Sequence, residues 1–192
     1  MNVYAGPVKA KEYKHYEKNG FRTLSGKVEI YSVELERLGF EPLPTYHEPP
    51  EIPQSDYELA SEYPLLCTTR KLEGYRHSGG RQIPSLRTLH PDPVVIMHPN
   101  TAGKLGIEDG EWVYIETRRG RIRQKAQASA GVDPRVVVAD YAWWFPERDE
   151  VNLFDFADSN YNVLTNDEPP FNKEVGSFNI RGLACRVSKA EP

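Results

Sequence analysis

The stretch of sequence that decides the fold is HPNTAGKLGIEDGEWVYIETRRGRIRQKA, His98 to Ala126. Its first part, from Pro99, predicts a capped helix of two turns with Ala102 and Leu105 facing inward. We expect Gly106 to end this helix, because glycine readily adopts the left-handed conformation that closes many helices. The stretch therefore begins with a brief helix and a defined stop.

The second part of the same stretch predicts two strands joined by a tight turn. A turn at Asp109–Gly110 leads into alternating side chains over Trp112 to Ile115, as in a strand with two different faces. Arg119–Gly120 then forms a hairpin turn into RIRQKAQAS. We interpret the whole stretch as barrel scaffold and expect few of its side chains to contact a ligand.

Apolar runs elsewhere in the chain predict further strands. They are YPLLCTTR (63–70), PVVIMHP (93–99), DPRVVVADYAWWF (133–145) and a final short one within FNIRGLACRVSKA (178–190). Short strands at close spacing, with turn signals between them and only brief helices, favour a β-barrel or sandwich over a βαβ sheet. The expected fold class is mainly β with short helices.

The first 60 residues predict an extension rather than a second large domain. A short strand is expected at Val28–Tyr31, followed by a short helix that ends at Gly39. The proline-rich segment Phe40–Asp56 predicts an extended connector, because proline removes backbone donors and restricts φ. The domain organisation expected is a linker over 1–60 and a barrel domain over 61–192.

The composition limits the classes of function. The 192 residues, 39% of them hydrophobic, suffice for one domain with extensions. The formal net charge of −4 lacks the basic footprint of nucleic-acid-binding proteins, so no nucleic-acid partner is expected. The N-terminus has no run of about 18 apolar residues, and we expect no direct membrane insertion. Cys67 and Cys185 are interpreted as buried thiols, since their placement suits neither a disulfide scaffold nor a metal-ligand pair.

The segment TTRKLEGYRHSGGRQIPSLR, Thr68 to Arg87, is the strongest candidate for a binding loop. It combines hydroxyls, four arginines, a histidine and the pair Gly79–Gly80, with Glu73 as its one acidic residue. Arginine can hold phosphate oxygens with two hydrogen bonds, and glycine lets the backbone approach a ligand closely. The segment therefore suits an anionic ligand, but it equally suits a solvated basic loop that pairs with surface carboxylates.

Asparagines are concentrated in FADSNYNVLTNDEPPFN, Phe156 to Asn172. Side-chain amides such as those of Asn160 and Asn162 match the mixed hydrogen-bond edges of a pterin or purine. They are as common in plain turns, so either role is open at each position. In the following EVGSFNIRG, Phe178 and Asn179 can bring a ring and a backbone against a ligand.

A self-sufficient active site is not visible in the sequence. The phosphate-binding motifs G-x-G-x-x-G and G-x-x-x-x-G-K-[ST] are absent, and His77, His90 and His98 are not spaced as a metal set. The aromatic run Trp143 to Phe145 cannot face the core along one strand face, so we expect one or more of its rings to cover a ligand or a partner domain.

Four parts of the chain together resemble one known family. They are GFRTLSGKVEIYSVELERLGFEPLPTYHEP, YPLLCTTRKLEGYRHSGGRQIPSLR, HPNTAGKLGIEDGEWVYIETRRGRI and SNYNVLT. In this order they are similar to the C-terminal molybdopterin-guanine-dinucleotide-binding domain of the dimethyl sulfoxide reductase family of molybdenum or tungsten enzymes. The resemblance covers essentially the whole chain.

This resemblance implies a fold, a cofactor and a set of contacts. The fold is a double-psi β-barrel of the aspartate-decarboxylase-like architecture. The cofactor is a molybdopterin guanine dinucleotide, held by its guanosine, phosphate and pterin parts. The residues expected to contact it are Thr68, Thr69, Arg70, His77, Ser78, Arg81, Asn160, Asn162, Phe178 and Asn179.

The chain also departs from the family. Family enzymes carry a cysteine-rich [4Fe-4S] motif near the N-terminus and a Cys, selenocysteine or Ser ligand to the metal, and no residue here matches either part. We expect the chain to be a fragment or subunit in which Met1 begins within a longer polypeptide. The iron–sulfur cluster is then expected only in the missing part, the partners are the remaining domains or the catalytic subunit, and catalysis by this chain alone is not expected. Cytoplasm and periplasm are both compatible with the sequence.

Two alternatives remain open from the residues. One is a non-catalytic double-psi barrel adaptor for protein–protein contacts, which requires a flat apolar patch around Trp143 and Trp144. The cofactor domain instead requires Arg70, His77 and Ser78 to converge on one groove. The other is a small hydrolase, which requires a pair of carboxylates inside a pocket.

Overall fold

Among the residues that the structure describes, six β-strands close into a barrel. They are β1 (Leu65–Arg70), β2 (Val94–Met97), β3 (Trp112–Glu116), β4 (Arg121–Ala128), β5 (Val136–Asp140) and β6 (Leu183–Lys189). Around the barrel their order is β1, β5, β2, β4, β3, β6. The pairs β1–β5 and β2–β4 are parallel and the other pairs are antiparallel. The expected class, mainly β with short helices, is confirmed.

The structure is a computed structural model that describes residues 13–49, 51–53, 56–169, 171–174 and 176–191. The backbone forms two compact units, Met1–His47 and Glu48–Pro192. In the described part the helices are α1 (Tyr16–Asn19), α2 (Val33–Arg37), α3 (Tyr57–Glu62), α4 (Pro84–Leu89), α5 (Pro99–Leu105) and α6 (Phe156–Ser159), with 3-10 segments at Glu150–Asp155 and Tyr161–Leu164. No described helix is long and apolar enough to cross a membrane.

The barrel interior follows the period of two expected for strands. In β3, Val113 and Ile115 are fully buried, and Trp112 and Tyr114 are only partly buried. This alternation places one set of side chains in the barrel core and the other outside. The main core cluster contains Cys67, Val95, Met97, Ala102, Ile107, Val113, Ile115, Ile122, Ala126, Val137, Ala139, Tyr161, Leu164, Cys185 and Val187.

Helix α5 ends as expected, but one of its side chains faces the other way. Gly106 is left-handed (φ 66°), and the backbone N–H of Ile107 donates to the carbonyl of Ala102 at 2.9 Å. This is a Schellman closure, which turns the chain back and brings Ile107 into the core. Leu105, predicted to face inward, is 40% exposed, because it sits at the end of the helix just before that reversal.

The predicted strand at Val28–Tyr31 is wrong. The described residues there form bends and coil, and Val28 and Ile30 are 67% and 75% exposed. Alternating apolar residues form a strand only when a neighbouring strand completes the hydrogen bonds. The following helix is confirmed as α2, and the left-handed Gly39 (φ 80°) lies just beyond it.

The last long apolar run forms a shorter strand than expected. Strand β5 ends at Asp140, and the left-handed Ala142 (φ 56°) breaks the extended backbone. The aromatic run Trp143–Phe145 therefore lies in a loop, where the alternation of a strand does not apply. Trp143 and Phe145 are buried in a second core cluster with Leu72. The loop therefore buries two of the three rings that one strand face could not have buried together.

The strand register brings six strand ends together at one end of the barrel, here called the site end. Strands β1, β3 and β5 finish there, and β2, β4 and β6 begin there. The residues that mark it are Arg70, Val94, Glu116, Arg121, Asp140 and Leu183. Helix α5 and the Asp109–Gly110 turn lie at the opposite end. All residues predicted to contact a ligand lie at the end of β1 or in segments that leave and re-enter the site end.

Both cysteines are free thiols and fully buried, as the sequence indicated. Burial raises the pKa of the Cys185 thiol well above its usual value. We predict that neither thiol reacts with a disulfide reagent at about pH 8 in the native protein, whereas both react in denaturant. A spectrophotometric thiol count in both conditions measures this, and rapid native labelling of either cysteine would contradict it.

Two glycines provide a matched pair for testing the packing. A Cβ at Gly120 would lie 2.8 Å from both Cγ1 and O of Val163, whereas Gly103 in α5 has open space. Gly120→Ala is predicted to lower the free energy of unfolding by about 1–3 kcal/mol through overpacking. Gly103→Ala is predicted to raise it by roughly 0.5–1 kcal/mol through helix propensity. Urea unfolding of both variants measures these changes, and equal effects would be inconsistent with the packing described.

Candidate functional site

The site end is organised around one buried carboxylate, that of Asp140. Arg70 Nε donates to its Oδ1 at 2.7 Å, and the backbone N–H of Val94 donates to its Oδ2 at 2.9 Å. Asp140 is 1% exposed, whereas the side chain of Arg70 is 30% exposed. A buried carboxylate requires such partners, because its desolvation is otherwise costly. The pair thus holds Arg70 at the rim with part of its guanidinium accessible.

Gln124 connects Asp140 of β5 to β4. Its Nε2 donates to the carbonyl of Asp140 at 2.8 Å, and its Oε1 accepts from the backbone N–H of Asp140 at 3.0 Å. The same Nε2 lies 3.3 Å from the carbonyl of Ser159. Gln124 is fully buried on β4, which is not a neighbour of β5 in the barrel. One amide therefore joins two non-adjacent strands and the segment that carries the asparagines.

The segment that follows Asp140 holds the basic loop in place. The hydroxyl of Tyr141 forms a short hydrogen bond with Nδ1 of His77, and Trp144 Nε1 donates to the carbonyl of Ser78 at 2.7 Å. His77 has a left-handed backbone (φ 52°), which is unusual for a residue with a Cβ and is tolerated where contacts impose it. The side chains of His77 and Ser78 are exposed beside these contacts.

Arg81 also contacts the segment that follows Asp140, but it is more deeply buried than His77 and Ser78. It is 1% exposed, and its Nη2 donates to the carbonyl of Tyr141 at 3.3 Å. Thr68 and Thr69 are partly buried on β1, in register with Val138 and Ala139 of β5. Contacts with β5 and its continuation therefore bring these residues together with Arg70, His77 and Ser78.

The two predicted asparagines have different surroundings. Asn160 Nδ2 donates to the carbonyl of Trp143 at 3.1 Å, and its Oδ1 caps the 3-10 segment by accepting from the backbone N–H of Asn162 at 3.1 Å. Asn160 therefore orients the loop by bonding within the protein. Asn162 is exposed, and within the described residues its side-chain amide has no hydrogen-bond partner.

Among the described residues, no hydrogen bond, ion pair or ring contact joins Phe178 or Asn179 to the residues around Asp140. The ring of Phe178 packs edge-on against Phe171 at 5.7 Å, and Asn179 Oδ1 accepts from the backbone N–H of Arg181 at 3.4 Å. Asn179 instead lines a small cleft of about 30 Å³. The cleft is lined by Glu51, Leu59, Thr117, Arg118, Arg119, Leu164, Asn166, Asn179, Gly182, Leu183 and Ala184. Glu51 forms a short ion pair with Arg119 there.

Sequence reasoning missed three residues that organise the site: Asp140, Tyr141 and Gln124. Two signals were available. Gln124 shares a strand face with the buried Ile122 and Ala126, so an inward polar side chain could be read from the alternation. Asp140 ends an apolar strand, a position where a carboxylate needs a partner. Tyr141 offered no such signal.

The rings near the site do not form an exposed apolar patch. Trp143 is fully buried, and Trp144 is partly buried with its ring 5.3 Å from that of Phe154. The adaptor alternative required a flat patch around both tryptophans. In the part of the chain that the structure describes, no group of three or more His, Cys, Asp or Glu residues could hold a metal ion.

Replacing the central carboxylate tests this organisation. We predict that Asp140→Asn lowers the free energy of unfolding by about 1–3 kcal/mol, because Arg70 then faces an uncharged amide and a buried hydrogen bond is lost. As the matched control, Asp133→Asn alters an ion pair with the 71%-exposed Arg135 and is expected to cost less than about 1 kcal/mol. Urea unfolding of the two variants compares them, and a larger loss for Asp133→Asn would overturn the assignment.

Comparison with known proteins identifies the family. The family described as "Molydopterin dinucleotide binding domain" matches residues 65–178. The chain is 36% identical over 179 residues to acetylene hydratase of Syntrophotalea acetylenica, covering 91% of this chain and 24% of that protein. It is 32% identical over 114 residues to the molybdopterin-containing subunit of thiosulfate reductase of Salmonella typhimurium, covering 59% of this chain and 14% of that protein.

A solved structure agrees with the sequence comparisons. Acetylene hydratase from Pelobacter acetylenicus superposes with a TM-score of 0.80 at 34% identity, over 90% of this chain and 24% of that chain. The double-psi β-barrel and the molybdopterin dinucleotide cofactor inferred from the sequence are confirmed. The chain spans about a quarter or less of the length of these relatives. It belongs to the molydopterin dinucleotide binding domain family.

Proposed function

We propose that this chain is the cofactor-holding domain of a larger molybdenum or tungsten oxidoreductase. In this proposal Thr68, Thr69, Arg70, His77 and Ser78 bind the phosphates and guanosine of a molybdopterin guanine dinucleotide. The observation that carries it is the attachment of the basic loop to the end of β5, through Asp140, Tyr141 and Trp144. These attachments hold an exposed hydroxyl, an imidazole and a guanidinium at one end of the barrel.

The donor set fits such a cofactor. Phosphate oxygens accept hydrogen bonds from guanidinium groups and hydroxyls, and Arg70 and Ser78 supply both types at the site end. The exposed amide of Asn162 offers both a donor and an acceptor, as the edge of a pterin requires. Asn160 supports this position from behind through its bond to the carbonyl of Trp143. Phe178 and Asn179 are proposed as outer contacts, on the side of the cleft.

The cofactor and the protein have different roles in this proposal. The metal-bearing cofactor supplies the redox chemistry when it is bound, and the protein supplies binding, orientation and electrostatics. The residues of this chain bind and orient the dinucleotide end. We propose that the remaining domains of the enzyme provide the metal ligand, the [4Fe-4S] cluster and the substrate channel, with residues 1–60 as the linker that leads into the barrel at 61–192.

Ser78 allows the cleanest test of the proposed contacts. We predict that Ser78→Ala, made in the complete enzyme, weakens retention of the dinucleotide more than tenfold, because a hydroxyl bonded to a charged phosphate contributes about 1.5–3 kcal/mol. The measurement is the guanine nucleotide released per enzyme after acid treatment, followed through a dialysis series. Stability is expected to be unchanged, since the described contact of Ser78 is made by its backbone carbonyl.

Ser188→Ala is the matched control. Ser188 is exposed on β6, paired with Tyr114 away from the site end, and its substitution is expected to leave nucleotide retention unchanged. Equal retention in wild type and Ser78→Ala would exclude Ser78 as a cofactor contact. Equal losses in both serine variants would instead indicate a general effect on the barrel.

A further inference from the structure

One cluster at the site end contains several buried polar atoms that lack a hydrogen-bond partner. Among the described residues these atoms are Tyr75 Oη, Arg81 Nε, Arg81 Nη1, Arg87 Nη1 and Trp143 Nε1. The four side chains are grouped around the Trp143 ring: the guanidinium carbon of Arg81 lies 3.8 Å from the ring centre of Tyr75 and 4.7 Å from that of Trp143. Arg87 lies 5.1 Å from the same Trp143 ring. Buried donors left without an acceptor are rare in native proteins, so five in one place point to a ligand.

The charge of this cluster is not balanced by its own carboxylates. Asp140 bonds to Arg70 at 2.7 Å, and Glu147 bonds to Arg87 at 2.7 Å. Of the three arginines Arg70, Arg81 and Arg87, only Arg81 has no carboxylate partner among the described residues, although it is the most deeply buried of them, at 1% exposure. Burial lowers the pKa of Arg81, in keeping with an environment that disfavours its positive charge. A buried charge of this kind calls for a counter-ion.

The aromatic rings stabilise Arg81 without satisfying its N–H groups. Tyr75 and Trp143 are nearly perpendicular, with an interplanar angle of 83°, so the guanidinium plane can be parallel to one ring at most. A ring face attracts the positive charge, but it is a weak acceptor compared with an anion or a carbonyl oxygen. The rings therefore enclose the site and leave its N–H groups available to an acceptor.

Two glycines set the path of the loop around this cluster. A Cβ at Gly80 would lie 3.3 Å from both Tyr75 and Leu86, and one at Gly74 would lie 3.3 Å from Leu86. Both glycines have positive φ, 93° and 85°, which favours glycine and defines the loop path. Among the residues that the structure describes, the carbonyl of Tyr141 is the oxygen that accepts a hydrogen bond from Arg81, through Nη2.

We propose that Tyr75, Arg81, Arg87 and Trp143 form an enclosed binding site for a small anion. Every unpartnered nitrogen in the cluster is a donor, the tyrosine hydroxyl can donate as well, and the excess charge is positive. The occupant proposed is a free monovalent anion such as chloride, and a nucleotide phosphate bound by the same residues is a distinct outcome of the test. The site does not rest on the proposed function, because a free anion would bind whether or not the barrel holds a dinucleotide.

The test uses the full chain and its thermal unfolding at constant ionic strength. Sodium chloride or bromide is compared with sodium gluconate, whose anion is too large for an enclosed site. At an anion concentration about a hundredfold above Kd, Tm of the wild type should rise by roughly 5–10 °C in halide relative to gluconate. Arg81→Met, which keeps the length of the side chain and removes its charge, should abolish this difference.

Arg135→Met is the matched control, since Arg135 is an exposed arginine paired with Asp133 beyond the opposite end of the barrel. It should keep the full halide effect. Guanosine diphosphate, added in gluconate, distinguishes a free anion from a nucleotide phosphate. If it raises Tm of the wild type but not of Arg81→Met, and halide does not, the cluster binds a phosphate of the nucleotide and the free-anion proposal is overturned. If it raises both equally while halide acts only through Arg81, the site belongs to a free anion.

A second measurement keeps the proposal testable if Arg81→Met does not fold. Crystals of the wild type grown in sodium bromide should show an anomalous peak within hydrogen-bond reach of Arg81 Nε or Trp143 Nε1. The proposal is overturned if no such peak appears and halide does not raise Tm in an Arg81-dependent way. Ordered water would then account for the buried donors. A failure of the Ser78 test would leave these results unaffected.

Discussion

The bonds of Asp140 are the interaction on which the rest of the site depends. Its carboxylate accepts from Arg70 on β1 and from the backbone of β2, and its backbone N–H and carbonyl both bond to Gln124 on β4. Four of the six strands are thereby joined at one residue of β5. In a closed barrel these strands cannot move independently, and a buried charge tolerates little rearrangement. The hydrogen bonds of this one residue therefore constrain the site end.

The loops acquire their positions from that junction. The chain leaves β5 at Asp140, reverses at the left-handed Ala142 and presents Tyr141 and Trp144 to the basic loop. Trp143 turns inward and forms the wall behind Arg81. The same short segment therefore supports the exposed residues proposed to bind the dinucleotide and encloses the buried donors proposed to bind an anion. Both proposals draw on one structural feature, but they use different faces of it.

Local sequence patterns predicted the parts of the structure that depend on near neighbours. The alternation over Trp112 to Ile115 and the stop at Gly106 are confirmed, because strand periodicity and left-handed closure act within a few residues. The strand at Val28–Tyr31 failed because a strand depends on a partner that no local pattern supplies. The inward orientation of Leu105 and the extension of the last strand through Phe145 were wrong for a related reason: in each case the chain reverses within a few residues, at Gly106 and at Ala142.

By itself, the sequence determined the class of fold, the family through four ordered motifs, and the basic loop as the most polar candidate for ligand contact. The tertiary structure decided which of those polar residues share an environment. It joined Arg70, His77, Ser78, Arg81 and Asn160 through the end of β5, placed Asn179 in a separate cleft, and buried Arg81 between two rings. The physical reason is that charge compensation and burial depend on residues far apart in sequence, such as Arg70 and Asp140, which are 70 positions apart. Such pairs become visible only when the barrel closes.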